Sequence, residues 1–129
     1  MKHTEAQLTK DVTDFLKAKY PKVLFKVDIG SDAKLSMFQA KRNKSLHGKL
    51  SRGHPDITIY KQNKYYAALF LELKVVCPYL KDGKTLKSSD HLKRQSEYHY
   101  LLQDEGYRAL FVTGLKECIS EIDSYMIDI

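Results

Sequence analysis

The sequence lacks the features that define several large classes of protein. Its 129 residues include only two cysteines, Cys77 and Cys118, which are too few for a disulfide framework and favour a reduced, cytoplasmic setting. No apolar run approaches the roughly 20 residues that a transmembrane helix needs. We therefore expect no membrane partner, and the polar start Met-Lys-His-Thr-Glu predicts no signal peptide. The five histidines show no zinc-like spacing, and no glycine-rich phosphate loop is present.

Acidic residues are absent from the stretch of chain between Asp32 and Asp56. The basic side chains of residues 33–55, which we call the basic stretch, are Lys34, Lys41, Arg42, Lys44, Lys49 and Arg52. They contribute to a net charge of +6. This charge is unevenly distributed along the chain, because residues 1–64 carry 14 Lys or Arg against 6 Asp or Glu. A local positive patch of this kind favours a polyanionic partner, most often nucleic acid. A solvated loop of an ordinary basic protein would have the same composition.

The hydrophobic pattern predicts one α/β domain over residues 1–129, without internal repeats or an interdomain linker. Its elements follow the order helix, strand, strand, strand, helix, strand, helix. The predicted bounds are a helix from the Thr4 cap to Tyr20, strands at Val23–Asp28, Asp56–Tyr60 and Tyr66–Val76, a helix from Ser89 or Asp90 to about Glu105, a strand at Arg108–Thr113 and a helix after Gly114. The second and third strands are expected to pair as a hairpin through a polar turn at 61–64.

A carboxylate and an amine stand in one of the most apolar runs of the chain. In the strand predicted at Tyr66–Val76, side chains alternate between two faces, so Glu72 and Lys74 share a face with Ala68 and Phe70. Burying charged groups there is costly unless they pair or bind a metal ion. The alternative is a Glu–Lys ion pair on an edge strand that faces water.

A second carboxylate, Asp56, opens the preceding strand at the end of the run Gly-His-Pro-Asp, residues 53–56. Proline is tolerated where a strand starts, and the glycine would allow a phosphate or a metal ion to approach the backbone. If the two strands pair as a hairpin, Asp56 lies near Glu72 and Lys74. Two carboxylates and the Leu73 carbonyl then form an all-oxygen site suited to Mg²⁺ or Mn²⁺. Lys74 would hold a scissile phosphate or activate a water molecule.

These residues resemble a known nuclease signature. Gly53-x-Pro55-Asp56 followed by Glu72-x-Lys74 is similar to the Pro-Asp…(Asp/Glu)-x-Lys signature of the restriction-endonuclease-like nuclease superfamily. Glu5 in the first helix resembles an acidic residue that many of these nucleases have there. Gln95 in the second helix resembles the helix glutamine of the VRR-NUC branch, which includes small stand-alone phage nucleases. The resemblance runs from Glu5 to about Ile122. It implies the core of that family, a mixed central sheet flanked by helices in the order α-β-β-β-α-β-α.

The resemblance also implies a role for each site residue. The implied ligands of one or two Mg²⁺ or Mn²⁺ ions are Asp56, Glu72, the Leu73 carbonyl and Glu5, the last directly or through water. Because Glu5 precedes Leu8 by three residues, its side chain is predicted on the buried side of the first helix. Lys74 is implied to position and activate the attacking water, and Gln95 to orient Lys74 or the phosphate. For Gln95 the alternative is an ordinary surface glutamine.

The combined interpretation is a divalent-metal-dependent, structure-selective endonuclease that hydrolyses the phosphodiester bonds of DNA. The basic stretch is expected to contact backbone phosphates without reading the base sequence. His54 is a further candidate for such a contact, and the alternative is a plain loop histidine. The resemblance implies branched DNA, such as four-way (Holliday) junctions, as the substrate. Cutting a junction symmetrically needs two active sites, which a twofold homodimer would supply. If the protein is phage-encoded, it would act in the cytoplasm of the bacterial host.

Several alternatives stay open at this point. The protein would be a nickase, a flap nuclease or an exonuclease on ordinary duplex, or a non-catalytic basic DNA-binding module on a degenerate nuclease fold. The apolar faces of the first helix and of the last helix, the latter with Ile119, Ile122 and Met126, are candidate dimer surfaces. Packing into the core of the chain explains both faces equally well.

Overall fold

The computed structural model of the protein describes residues 4–28, 41–42 and 53–129. Within them, helices α1, α2 and α3 span Glu5–Lys19, Asp90–Asp104 and Gly114–Ile127, and strands β1 to β4 span Leu24–Val27, Ile57–Tyr60, Leu69–Lys74 and Arg108–Thr113. The strands form a sheet in the order β1-β2-β3-β4, antiparallel except for the parallel pair β3–β4. The chain order α-β-β-β-α-β-α and this mixed sheet confirm the predicted α/β fold class. None of these three helices is long and apolar enough to cross a bilayer.

Helix α1 begins and ends where its local sequence dictates. The Thr4 Oγ1 accepts a hydrogen bond from the Gln7 backbone N–H at 3.1 Å, which satisfies one amide group of the first turn. The helix ends before Tyr20, because a residue that precedes proline avoids helical dihedral angles. The buried side chains of the helix are Leu8, Val12 and Leu16. Their packing fixes α1, and with it Glu5, beside the sheet.

One face of the sheet carries the main apolar core. Helices α1 and α3 cover this face, and they pack against each other as well as against β3. The buried side chains of this core are Leu8, Val12, Leu16, Ile57, Ile59, Leu69, Leu71, Leu73, Val112, Cys118, Ile122, Tyr125 and Met126. Ile119 is half-buried beside them. Core packing, rather than a dimer surface, is therefore the explanation for the apolar faces of the first and last helices.

The connection between β2 and β3 is longer than the predicted hairpin turn. The Asn63 Oδ1 accepts the backbone N–H of Tyr66 at 2.8 Å, which keeps this part of the chain in a turn. Strand β3 therefore begins at Leu69 instead of Tyr66. The two strands still pair antiparallel, as expected for a hairpin, with Ile57 opposite Leu71.

Helix α2 covers the opposite face of the sheet with a much smaller apolar cluster. That cluster consists of Ala68, Phe70 and Ala109, with Leu102 and Tyr107 packed against it. Gly53 is buried against α2, and a Cβ atom at this position would lie 2.7 Å from the Arg94 carbonyl oxygen. A close backbone approach at Gly53 is thus made by helix α2, and the approach of a phosphate or a metal ion stays a prediction.

Candidate active site

The two predicted carboxylates lie side by side at one end of the sheet. Because Ile57 pairs with Leu71, Asp56 falls opposite Glu72 just before β2 begins. The Asp56 Oδ2 accepts a 2.8 Å hydrogen bond from the Leu73 backbone N–H, so this carboxylate extends the strand ladder beyond its last residue pair. The bond holds the Asp56 carboxylate beside Glu72 in a fixed orientation.

Glu72 is the most constrained polar group of the site. The residue is only 2% exposed, and its Oε1 has no hydrogen-bond partner within the described part of the chain. Burial, hydrogen-bonding contact with Asp56 and the negative charge of Asp56 raise the pKa of Glu72 to about 10. The positive charge of Lys74 opposes this rise only in part. Without a cation, the carboxyl pair therefore holds a proton at neutral pH.

Asp56 and Glu72 have the chemistry of a divalent-cation site. Carboxylate oxygens are preferred ligands of Mg²⁺ and Mn²⁺, and a divalent cation would let both groups ionise together. The unpartnered Glu72 Oε1 fits this purpose. Across residues 4–28, 41–42 and 53–129, no group of three or more His, Cys, Asp or Glu side chains is placed to hold a metal ion. Further ligands would have to come from water, from substrate or from the backbone, and the ligand role of the Leu73 carbonyl stays a prediction.

Glu5 lies within electrostatic range of this pair. Its side chain is exposed, so the prediction that it lies on the buried side of α1 is wrong. The reason is that the buried face of α1 begins one turn later, at Leu8. The negative charge of Glu5 nevertheless contributes to the raised pKa of Glu72. Its role as a metal ligand, direct or through water, stays a prediction.

Lys74 ends β3 two residues after Glu72 and therefore shares its face of the sheet. Its side chain is half-buried, and Nζ lies 5.8 Å from the centroid of the Phe111 ring, within cation–π range. The alternative of a water-facing Glu–Lys pair on an edge strand is wrong, because β3 lies between β2 and β4. The structure thus brings Lys74 together with the two carboxylates.

Helix α2 supplies Gln95, which is only 5% exposed. The alternative of an ordinary surface glutamine is therefore wrong. Its Nε2 lies 3.0 Å from the Nε2 of His91, one helical turn earlier, and its Oε1 has no hydrogen-bond partner among the residues described. A role in orienting Lys74 or the phosphate stays a prediction.

His99 is a site residue that the sequence analysis missed. It is 4% exposed, and its ring centroid lies 4.6 Å from that of Phe111. Burial and the charge of Lys74 lower the pKa of His99 to about 4, so its imidazole is neutral at pH 7. Its Nε2 has no hydrogen-bond partner in the described ranges. The signal was in the spacing, because His91, Gln95 and His99 recur every four residues along one side of α2.

This arrangement is built on a fold that a solved structure shares. A chain described as a VRR_NUC domain protein superposes with a TM-score of 0.69, and the match covers 99% of this chain and 92% of that chain at 22% sequence identity. This protein has the VRR-NUC fold. No family model matches its sequence, and no curated protein matches it either. The likeness therefore establishes the fold, and the chemistry has to be argued from the side chains.

Within this VRR-NUC fold, only residues 41–42 and 53–55 of the basic stretch are described, and the last three lead directly into Asp56 and β2. Lys41 and Arg42 are helical and exposed. The remaining basic residues predicted to contact DNA, which are Lys34, Lys44, Lys49 and Arg52, lie outside the described residues. The predicted contact of this stretch with phosphates stays a prediction.

His54 has a packing role at the end of the basic stretch. Its ring packs edge-on against Phe70 and Tyr98, with centroids 5.9 and 5.4 Å away. Its Nδ1 lies 2.8 Å from the Pro55 carbonyl oxygen and 3.6 Å from an Asp28 carboxylate oxygen. These contacts explain the histidine structurally, and its predicted contact with a phosphate stays a prediction.

Proposed function

We propose that the protein is a divalent-metal-dependent nuclease that hydrolyses the phosphodiester bonds of DNA, with Asp56, Glu72 and Lys74 at the reacting phosphate. The observation that carries this proposal is the buried Glu72 carboxyl group, held against Asp56 beside a lysine on a central strand. Such an arrangement costs stability, which is typical of a functional site. The VRR_NUC description of the structural neighbour supports the same class of chemistry.

In the proposed reaction each residue has a defined task. Asp56, Glu72 and the Leu73 carbonyl would hold Mg²⁺ or Mn²⁺, with Glu5 bound to the ion through a water molecule, and the ion would supply Lewis-acid stabilisation of the charge that develops on the phosphate. Lys74 donates hydrogen bonds to the attacking water, which approaches phosphorus in line with the leaving oxygen. As the new P–O bond forms, the ester P–O bond breaks. Solvent takes up a proton of the attacking water and supplies a proton to the leaving oxygen. Gln95 orients Lys74 or the phosphate.

Lys74→Ala tests this assignment. We expect a loss of Mg²⁺-dependent DNA cleavage on the order of 10²- to 10³-fold, the usual effect of removing one group that stabilises transition-state charge. EDTA should abolish cleavage by the unmodified protein. The matched control is Lys64→Ala, which removes an exposed lysine from the β2–β3 connection, at the opposite end of the sheet, and should leave the rate unchanged.

Two results would contradict the proposal in different ways. Cleavage by Lys74→Ala at the rate of the unmodified protein would show that the site is wrong. DNA binding without any metal-dependent cleavage would favour the alternative of a non-catalytic DNA-binding module on a degenerate nuclease fold.

We propose branched DNA, such as a four-way junction, as the substrate, on the strength of the family resemblance and of the exposed basic residues Lys41 and Arg42. Non-specific phosphate contacts suit recognition of DNA shape rather than sequence. Cleavage rates on four-way junctions, flaps and linear duplex, compared in Mg²⁺, test this. We expect the junction to be cut fastest. Equal or faster cleavage of linear duplex would instead favour a nickase or an exonuclease, and preference for flaps a flap nuclease.

A homodimer would give a junction two symmetry-related active sites. Light scattering of the junction complex should then show two copies of the 15.0 kDa chain. One copy on each junction would contradict the dimer. A cytoplasmic location, in the bacterial host if the protein is phage-encoded, fits the two free cysteines, of which Cys77 is exposed and Cys118 is buried.

A further inference from the structure

A short hairpin follows Lys74 and leads into α2. Residues 78–87, which we call the lysine hairpin, pair Tyr79 with Leu86 in an antiparallel bridge. Backbone hydrogen bonds of 2.8 and 2.9 Å flank this bridge on its two sides. At the tip, Gly83 has a φ of +70°, a left-handed conformation that closes the turn at little cost for glycine. The hairpin is thus a defined projection with its own hydrogen bonds.

The base of the lysine hairpin packs beside the candidate active site. The Tyr79 ring meets the Phe111 ring edge to face, with centroids 6.1 Å apart. The same Phe111 ring lies 5.8 Å from Lys74 Nζ and 4.6 Å from the His99 ring. One aromatic side chain therefore joins the hairpin to the lysine that acts at the phosphate.

The hairpin presents positive charge that the fold does not use. Lys81, Lys84 and Lys87 are all exposed, and none of them makes an ion pair within the described ranges. Asp82 is the only acidic residue between positions 75 and 89. Its carboxylate accepts hydrogen bonds from the backbone N–H groups of Lys84 and Thr85, so Asp82 stabilises the turn of the hairpin. The lysine side chains have no comparable structural task.

Connectivity places this charge at the same end of the sheet as the carboxylates. Since β2 and β3 are antiparallel, the chain enters β2 and leaves β3 at one end, where Asp56 and Glu72 lie. Residues 53–55 therefore lead into the sheet at Asp56, and the lysine hairpin follows the end of β3 just beyond Glu72 and Lys74. Exposed lysines beside a phosphodiesterase site have the charge that a DNA backbone complements.

We infer that the lysine hairpin binds backbone phosphates of the DNA next to the scissile phosphate. This inference rests on the proposed nuclease function and adds a second phosphate-binding element to it. Its occupant is the sugar–phosphate backbone, because lysine ammonium groups contact phosphates as point charges and carry no base preference. The exposed apolar residues Val76 and Leu80 leave a second copy of the chain as the competing occupant, which the experiment distinguishes.

The test replaces Lys81, Lys84 and Lys87 together by glutamine, in an Asp56→Asn background that binds DNA without cutting it. DNA affinity is measured by fluorescence anisotropy between 50 and 200 mM salt. Each lost phosphate contact lowers the salt slope by about 0.9, so we expect a slope smaller by about 2 to 3 and an affinity weaker by about 10- to 100-fold. Replacing the same three lysines by arginine should retain the slope, because the charge stays.

The matched control replaces Lys17, Lys22 and Lys64 by glutamine. All three are exposed. They lie toward the end of the sheet opposite Asp56 and Glu72, where β1 starts at Leu24 beside Tyr60, the last residue of β2. This control removes the same amount of charge. We nevertheless expect its salt slope to equal that of the Asp56→Asn protein that keeps all its lysines. A control that loses as much slope as the hairpin variant would show a general charge effect and overturn the inference.

Two further outcomes separate this inference from the proposed function. If the hairpin variant has an unchanged salt slope, or an unchanged DNA affinity together with a loss of self-association, the hairpin does not bind phosphates. The nuclease proposal is then unaffected. If the hairpin variant loses slope while the unmodified protein never cuts DNA in Mg²⁺, the nuclease proposal fails and the phosphate-binding hairpin stands.

Discussion

The two faces of the central sheet bury opposite kinds of side chain. The face under α1 and α3 buries a large apolar cluster that includes Leu71. The face under α2 buries a small apolar cluster and, next to it, Glu72, Gln95 and His99. The three buried polar atoms that lack a hydrogen-bond partner, among the residues described, all belong to these side chains.

This difference shows how one strand serves two purposes. Leu71 and Glu72 are neighbours in β3 and point to opposite faces. Buried polar groups in native proteins are normally paired, so a cluster of unpaired ones needs an explanation such as an ion or a catalytic role. We conclude that the apolar face stabilises the fold, and we propose that the polar face has lower stability because its side chains serve the proposed nuclease reaction.

Leu71→Ala breaks the apolar face and should have the largest effect on stability. Leu71 is fully buried, and its truncation removes transfer free energy and leaves a cavity, at a cost of about 3 kcal/mol. Urea unfolding followed by circular dichroism measures this loss. A cost below about 1 kcal/mol would show that this face is not the main source of stability.

Glu72→Gln should have the opposite effect on the metal-free protein and raise its free energy of unfolding at neutral pH by about 2 kcal/mol. The folded chain holds a proton on Glu72 up to pH about 10, whereas the unfolded chain releases it near the ordinary value of 4.5. The contribution of Glu72 to stability is therefore full below that value and is lost as pH rises toward the folded pKa. Glutamine, which does not ionise, avoids that loss.

The free energy of unfolding of both proteins, measured in EDTA at pH 5 and pH 8, tests the direction of this effect. The gain from Glu72→Gln should be larger at pH 8 than at pH 5, and the variant should lose DNA cleavage at both. Equal or lower stability than the unmodified protein at pH 8 would contradict the view that the polar face costs stability.

Gly53→Ala should have a smaller effect on stability and a clear one on activity. The new Cβ would lie 2.7 Å from the Arg94 carbonyl oxygen and 3.0 Å from the Tyr98 Cβ, so α2 has to shift away from the sheet. We expect a cost of about 1 kcal/mol from this overpacking and a several-fold slower cleavage, because α2 positions Gln95 and His99. DNA cleavage and urea unfolding are measured together.

Gly106→Ala is the control for that prediction. Gly106 has a φ of +90° but open space around it, so alanine there strains the backbone without pushing α2 off the sheet. We expect lower stability and normal cleavage. If both glycine variants slow cleavage equally, the position of α2 is not what matters.

The sequence predicted the element order and the pairing that brings Asp56 to Glu72, because both follow from local alternation and a single hairpin. It did not predict the exposure of Glu5, since the spacing of apolar residues does not show where a helix first touches the sheet. His99 escaped notice because the four-residue spacing of His91, Gln95 and His99 does not by itself show that this side of α2 is buried against the sheet. The contact of Gly53 with α2 was not predicted for a similar reason, because Arg94 and Tyr98 come from a distant part of the chain.

The central claim is that Asp56 and Glu72 hold a divalent cation beside Lys74, and the most direct test is anomalous diffraction from crystals soaked in Mn²⁺. We predict a Mn²⁺ ion about 2 Å from a carboxylate oxygen of both residues, with the Leu73 carbonyl as a further ligand. Asp56→Asn should lack it. A Mn²⁺-soaked crystal with no ion between Asp56 and Glu72, or with the ion bound elsewhere, would contradict the account.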